Sequence, residues 1–166
     1  MATRLDLSSG AAPALARLDP GFEDGRQEFR CIFTSPKLRA WIEQELPGLA
    51  SPLRVENSPQ EQLVALVEIF CSDEPLTYGE HFKPLYCRGQ GVWELRTPDL
   101  RVFGWFPAKD HFVGVVANDA TYIKQHQLYA GYIGEVVRFR DQLNLDTPKF
   151  IQSEEAKDVV SNYNFS

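Results

Sequence analysis

The sequence predicts an α+β fold: a mostly antiparallel sheet of about four strands, an N-terminal αα-hairpin packed on it, and a C-terminal helix. Three observations carry that reading. Residues 89–117 hold three runs rich in Val, Phe and Trp, separated by the turn signals Thr97-Pro98-Asp99 and Pro107-Ala108-Lys109-Asp110, the pattern of an antiparallel meander. Two apolar stripes at helical spacing precede it, each opened by a Ser-Pro pair, Ser35-Pro36 and Ser58-Pro59. A third stripe, Tyr129, Tyr132, Ile133, Val136 and Val137, follows it.

Residues 1–25 are small, polar and turn-rich, and are expected to form a flexible N-terminal extension. Phe29, Cys31 and Phe33 alternate with Arg30 and Ile32, which predicts a first strand ending before Ser35-Pro36. Leu38, Trp41, Ile42 and Leu46 then share one helical face, closed by Pro47-Gly48. Ser58-Pro59-Gln60-Glu61 reads as a capping box, and Leu63, Leu66, Val67 and Phe70 form the buried face of the helix it opens. Residues 72–88 read as irregular, with Phe82, Pro84 and Leu85 tucked under the sheet. In the meander, Val92 and Glu94 alternate with Trp93 and Leu95, so that Glu94 and Arg96 are expected to point outward from a solvated face. Gly131 and Gly134 cost the last helix about 1 kcal/mol each relative to Ala, so packing must hold it. The tail 146–166 is polar and acidic, leaving 26–145 as the folded domain. A first strand separated from a meander by two helices pairs at the sheet's edge or beside its last strand.

A chain of 166 residues that is 43% hydrophobic can bury a core without disulfides or a structural metal. Three cysteines, Cys31, Cys71 and Cys87, show no CxxC spacing, and His81, His111 and His126 lack metal-ligand spacing, so no metal or cofactor is expected. No apolar run reaches the length of a membrane span and no leader carries a continuous apolar core, which points to the cytoplasm. The formal charge of −6 disfavours bulk affinity for nucleic acid, yet it is unevenly spread. Residues 81–140 carry +3, against −6 before them and −3 after, so a local basic surface can still meet a phosphate backbone. Gly89-Gln90-Gly91 precedes a strand rather than a helix, and no nucleophile elbow or Cys/His pair is present, which sets aside phosphate-loop and acyl-hydrolase chemistry.

The β-α-α-β-β-β-α order, with Phe82-Lys83-Pro84-Leu85, Gly91-Val92-Trp93-Glu94-Leu95-Arg96 and Leu100-Arg101-Val102-Phe103, resembles the RelE/ParE superfamily of bacterial toxins. The likeness is greatest to its HigB-like branch, whose Trp-Glu-Leu-Arg strand, turn and Arg-Val-aromatic strand all stand here. The resemblance implies a RelE-like fold and a ribosome-dependent endoribonuclease that cuts mRNA, inhibits translation and is silenced by a cognate antitoxin. It also implies a monomer, or a hetero-oligomer mediated by the antitoxin. Metal-free RNA cleavage needs the 2′-hydroxyl deprotonated, the leaving oxygen protonated and the phosphorane charge stabilised. Arg96, Arg101 and Lys124 suit the last task, Tyr122 and His126 are the nearby groups for proton transfer, and Lys83, Arg88 and Arg138 are candidate RNA-backbone contacts. Each has a plainer reading: Arg96 pairing with Glu94 or Asp99, His126 and His111 lying on the surface, and Arg138 pairing with Glu135. Only Lys124 stands where such toxins commonly carry two lysines, so an alternative stays open. In it a catalytically inactive protein of the same fold binds another macromolecule: an antitoxin, a gyrase-type target, or a phage or mobile-element partner.

Overall fold

The computed structural model describes residues 15–23, 25–86 and 90–165. In chain order its elements are β1 (Ala16–Arg17), β2 (Cys31–Thr34), α1 (Pro36–Gln44), a 3-10 turn (Leu46–Gly48), α2 (Pro59–Cys71), β3 (Leu76–Tyr78), β4 (Phe82–Pro84) and β5 (Trp93–Arg96). Then come β6 (Leu100–Ala108), β7 (His111–Asp119), α3 (Ala120–Gln125), α4 (Tyr129–Gln142), α5 (Ala156–Val159) and β8 (Tyr163–Phe165). The strands form one sheet in the order β1-β2-β7-β6-β5-β4-β3-β8.

The expected sheet of about four mostly antiparallel strands is therefore corrected to eight strands of mixed direction. β2 runs parallel to β7, and β4 and β8 each run parallel to β3. The additional strands are two or three residues long, too short to show a period of two. They form because a meander leaves unpaired N–H and C=O groups at its edges, and nearby chain covers them. Residues 16–17, expected to lie in a flexible extension, pair with β2, and residues 163–165 of the tail pair with β3.

The expected αα-hairpin is corrected as well. Ser35 caps α1 by accepting from the Leu38 amide, and Ser58 and Glu61 close the capping box of α2. The two helices do not chiefly pack on each other: α1 lies against β7 and β2, and α2 against β2 and the 3-10 turn. Nor does the chain end in a helix, since α5 and β8 follow α4.

Hydrophobic cores fill both faces of the sheet. One gathers Leu38, Leu66, Phe70, Trp93, Leu95 and Phe106 under α1, α2 and the C-terminal segment. The other gathers Val92, Phe103, Trp105, Val115 and Val136 under α4. The tail is held by backbone bonds, Ile151 N–H to Phe106 O and Asp110 N–H to Val159 O.

Arg30 fastens these layers. Its guanidinium is 1% exposed and donates to the carbonyls of Phe70, Ile69, Glu74 and Asn162. It thereby caps the carbonyl end of α2, where the helix dipole favours a cation, and ties β2 to the segment entering β8. Arg30→Met is expected to destabilise the chain by about 3 kcal/mol, because it leaves buried carbonyls without a charged donor. Urea unfolding measures this; an unchanged midpoint would contradict the clamp.

Candidate functional site

The candidate site grows from four adjacent strands, β4 to β7. Cross-strand register aligns Lys83, Glu94 and Phe103, and one step along it aligns Arg96, Arg101 and Asn118. Strand alternation places all of these on the face covered by α4, with Trp93 and Leu95 on the other. The expectation that this face is solvated is corrected: α4 seals it, and Glu94 is 2% exposed. The signal was in the parity of β6. Phe103 and Trp105 share the face of Arg101, so that face was apolar too and had to be covered.

Glu94 is held by little. Arg96 Nε lies 3.7 Å from one of its oxygens, and the other, Oε2, has no hydrogen-bond partner among the described residues. Burial raises its pKa above the ordinary carboxylate range, against the pull of Arg101, Arg96, Lys83 and Lys124. Four cations from four elements thus pull on one carboxylate.

Arg101 is 7% exposed. Its Nη1 donates to Thr97 O at 2.7 Å and Leu100 O at 2.8 Å, its side chain hydrogen-bonds that of Tyr129, and its Nε has no partner among the described residues. Burial, then the like charge of Arg96, lowers its pKa, while Glu94 and Tyr129 act in the opposite direction. A guanidinium stays charged through such shifts. Tyr129, at the first turn of α4, has its own pKa raised by burial and then by Glu94. Phe103 sits edge-on between the rings of Tyr129 and Tyr132, at 5.4 and 5.3 Å, and Asn118 Nδ2 donates to Tyr132 Oη. Arg96 Nη1 donates to Gly79 O at 2.6 Å.

Arg96 by its ion pair and Lys83 by strand register thus stand beside Glu94, and the charges of Arg101 and Lys124 act on it as well. His126 and Tyr122 do not join them: they face each other on the exposed side of α3, ring centroids 4.3 Å apart, and no contact among the described residues links them to Glu94. Arg138 is exposed on α4, and Glu135 pairs with Lys37 of α1, not with Arg138. Arg88 lies outside the described residues. Sequence reading missed Glu94, taken for a surface partner of Arg96, and Tyr129, taken for plain core. Among the described residues no group of three or more His, Cys, Asp or Glu is placed to hold a metal.

Compared with protein-family models, curated proteins and solved structures, the chain shows no match. What the site does has to be argued from its own residues.

A carboxyl group whose folded pKa lies above its unfolded value stabilises the fold fully below the unfolded pKa and loses that contribution as pH rises through the folded one. At neutral pH ionised Glu94 is therefore a cost, and Glu94→Gln is expected to raise the melting temperature. The gain should shrink on acidification and vanish near the unfolded value of 4.5. Melting curves of both proteins across that range test it; a variant less stable than the parent at neutral pH would show that the cations outweigh burial.

Proposed function

We propose that this protein is the toxin of a toxin–antitoxin pair, an endoribonuclease that cuts mRNA on the ribosome in the cytoplasm, with Glu94 as its general base. The observation that carries the proposal is the buried Glu94 carboxylate with an unpartnered oxygen and a raised pKa, ringed by Arg101, Arg96, Lys83 and Lys124. A carboxylate that resists ionisation binds a proton more tightly than one in water, as proton abstraction from a hydroxyl requires. The Trp93-Glu94-Leu95-Arg96 and Arg101-Val102-Phe103 motif supplies the central residues. The resemblance to RelE/ParE toxins rests on that motif and not on the sheet, which is larger than the resemblance implies.

Each reacting atom finds a residue in this arrangement. Glu94 takes the proton of the ribose 2′-hydroxyl, whose oxygen attacks phosphorus. Arg101 and Arg96 stabilise the added negative charge of the phosphorane, Arg101 through its free Nε donor. The phosphorus–O5′ bond breaks, and the leaving oxygen takes a proton from the Lys124 ammonium. The products are a 2′,3′-cyclic phosphate and a 5′-hydroxyl end. Lys83, on the strand beside Glu94, neutralises the adjoining phosphate. Because α4 covers the site, its first turn must lift Tyr129 away before RNA reaches Glu94.

A second reading, binding of an antitoxin or another macromolecule without catalysis, is favoured by the burial of Arg101 and by the two carbonyls that hold its Nη1. The two readings separate in one experiment, in which the purified chain is added to ribosomes translating a defined mRNA and cut sites are mapped by primer extension. The nuclease reading expects cuts within the translated frame, lost by about a hundredfold or more in Glu94→Gln. It also expects a rate that rises with pH through a midpoint above 4.5, where Glu94 ionises. Absence of cleavage by the parent chain would leave only the binding reading, and full cleavage by Glu94→Gln would remove Glu94 as the base of the nuclease.

A further inference from the structure

A cavity of about 480 Å³ opens where α2, the turn between β3 and β4, and the Thr97-Pro98 hairpin meet. Its size falls in the range of roughly 300–1,000 Å³ usual for small-molecule sites. Its two ends differ in chemistry. Val55, Ala65, Leu66 and Ile69 give it an apolar wall, and Arg96, Arg101 and His81 give it a polar one.

Three features make the polar end a receptor for one negative charge. First, two guanidinium-bearing side chains, Arg96 and Arg101, both line it. Second, His81 Nδ1 accepts the Thr77 N–H at 2.8 Å, which leaves the proton of the neutral ring on Nε2 as a donor. Burial first, and Arg30 after it, keep that ring below its usual pKa against the pull of Glu80, so it offers a hydrogen bond without a charge. Third, the polar wall is rigid. Gln62 donates to Asn57 O and Asp99 Oδ2 and accepts from Thr97 Oγ1 and the Asp99 N–H, so neither end of its amide is free to turn toward a guest.

We infer that this cavity binds a small organic acid, a single carboxylate carried on a short hydrocarbon or aromatic body. The carboxylate sits between Arg101, Arg96 and His81, and the body lies along Leu66 and Ile69. Inorganic phosphate fits the cavity less well, because it has no hydrocarbon body to lie along Leu66 and Ile69 and exposed Glu80 opposes a second charge at the rim.

The probes are hexanoate, benzoate, uncharged hexanamide and inorganic phosphate, titrated calorimetrically into the full chain. Hexanoate and benzoate are expected to bind saturably, and hexanamide and phosphate at least about tenfold more weakly, since one lacks the charge and the other the apolar body. Ala65 is exposed at the mouth, so Ala65→Trp can close the cavity without entering the core; it is expected to abolish acid binding and to leave the melting temperature and RNA cleavage unchanged. Arg96→Met is expected to weaken the acids by about tenfold and leave hexanamide as it was. The inference is overturned if neither acid saturates at about 10 mM, if hexanamide or phosphate matches the acids, or if either variant binds acids as tightly as the parent.

Discussion

The buried guanidinium of Arg30 is the constraint on which the remaining architecture depends. A helix end exposes carbonyls that need donors, and α2 ends inside the protein where water cannot supply them. Arg30 reaches them from just before β2, and the same side chain donates to Glu74 and Asn162, fixing where the chain leaves α2 and where it returns for β8. The other end of α2 is fixed just as firmly. The capping box closes its first turn, and Gln62 bonds to Thr97 and Asp99 in the hairpin between β5 and β6. A helix pinned at both ends cannot settle onto the sheet wherever packing is tightest. It spans the gap above the hairpin, and that gap is the cavity walled by Leu66, Ile69, Arg96 and Arg101.

Fixing the hairpin has a consequence for Glu94 as well. Thr97 O and Leu100 O hold Arg101 Nη1, so the guanidinium cannot swing out to solvent and remains beside Glu94. Burying a carboxylate costs more than its neighbouring cations return, which is why its pKa rises in their presence. Packing alone would have favoured an apolar residue between Lys83 and Phe103. Local choices that conflict with an otherwise consistent fold are the usual marks of function, and Glu94 is the sharpest such conflict on this face.

Legibility in the sequence followed the length of the signal. Ser35, Ser58 with Glu61, and the turn residues of the meander each act on groups within four positions, so they could be read without knowing the fold. The short strands could not, because residues 16–17 and 163–165 become strands only through the partner they meet. The first strand was found, but not that both its faces are covered: Ile32 enters one core and Phe33 packs against the other. At the site, Arg96 and Arg101 were legible as neighbouring cations, but the sign of Glu94's environment was not. It depends on α4, which lies more than thirty positions further along and covers the sheet from above.

That cover is weakly built where it matters. Gln127 adopts φ of +53, Leu128 offers α4 no side-chain cap, and Gly131 and Gly134 stand in its first two turns. Each glycine costs about 1 kcal/mol relative to Ala, and a missing cap costs a similar amount. The last turns are different: Val136 is fully buried and Arg140 lies over the Phe150 ring at 3.7 Å. Stability therefore falls toward Tyr129, the residue whose hydroxyl meets Arg101. A helix firm at its far end and loose at its near end can open over Glu94 without surrendering the core beneath Trp105. An ionised carboxylate below it favours that opening, because exposure to water removes the penalty that raises its pKa.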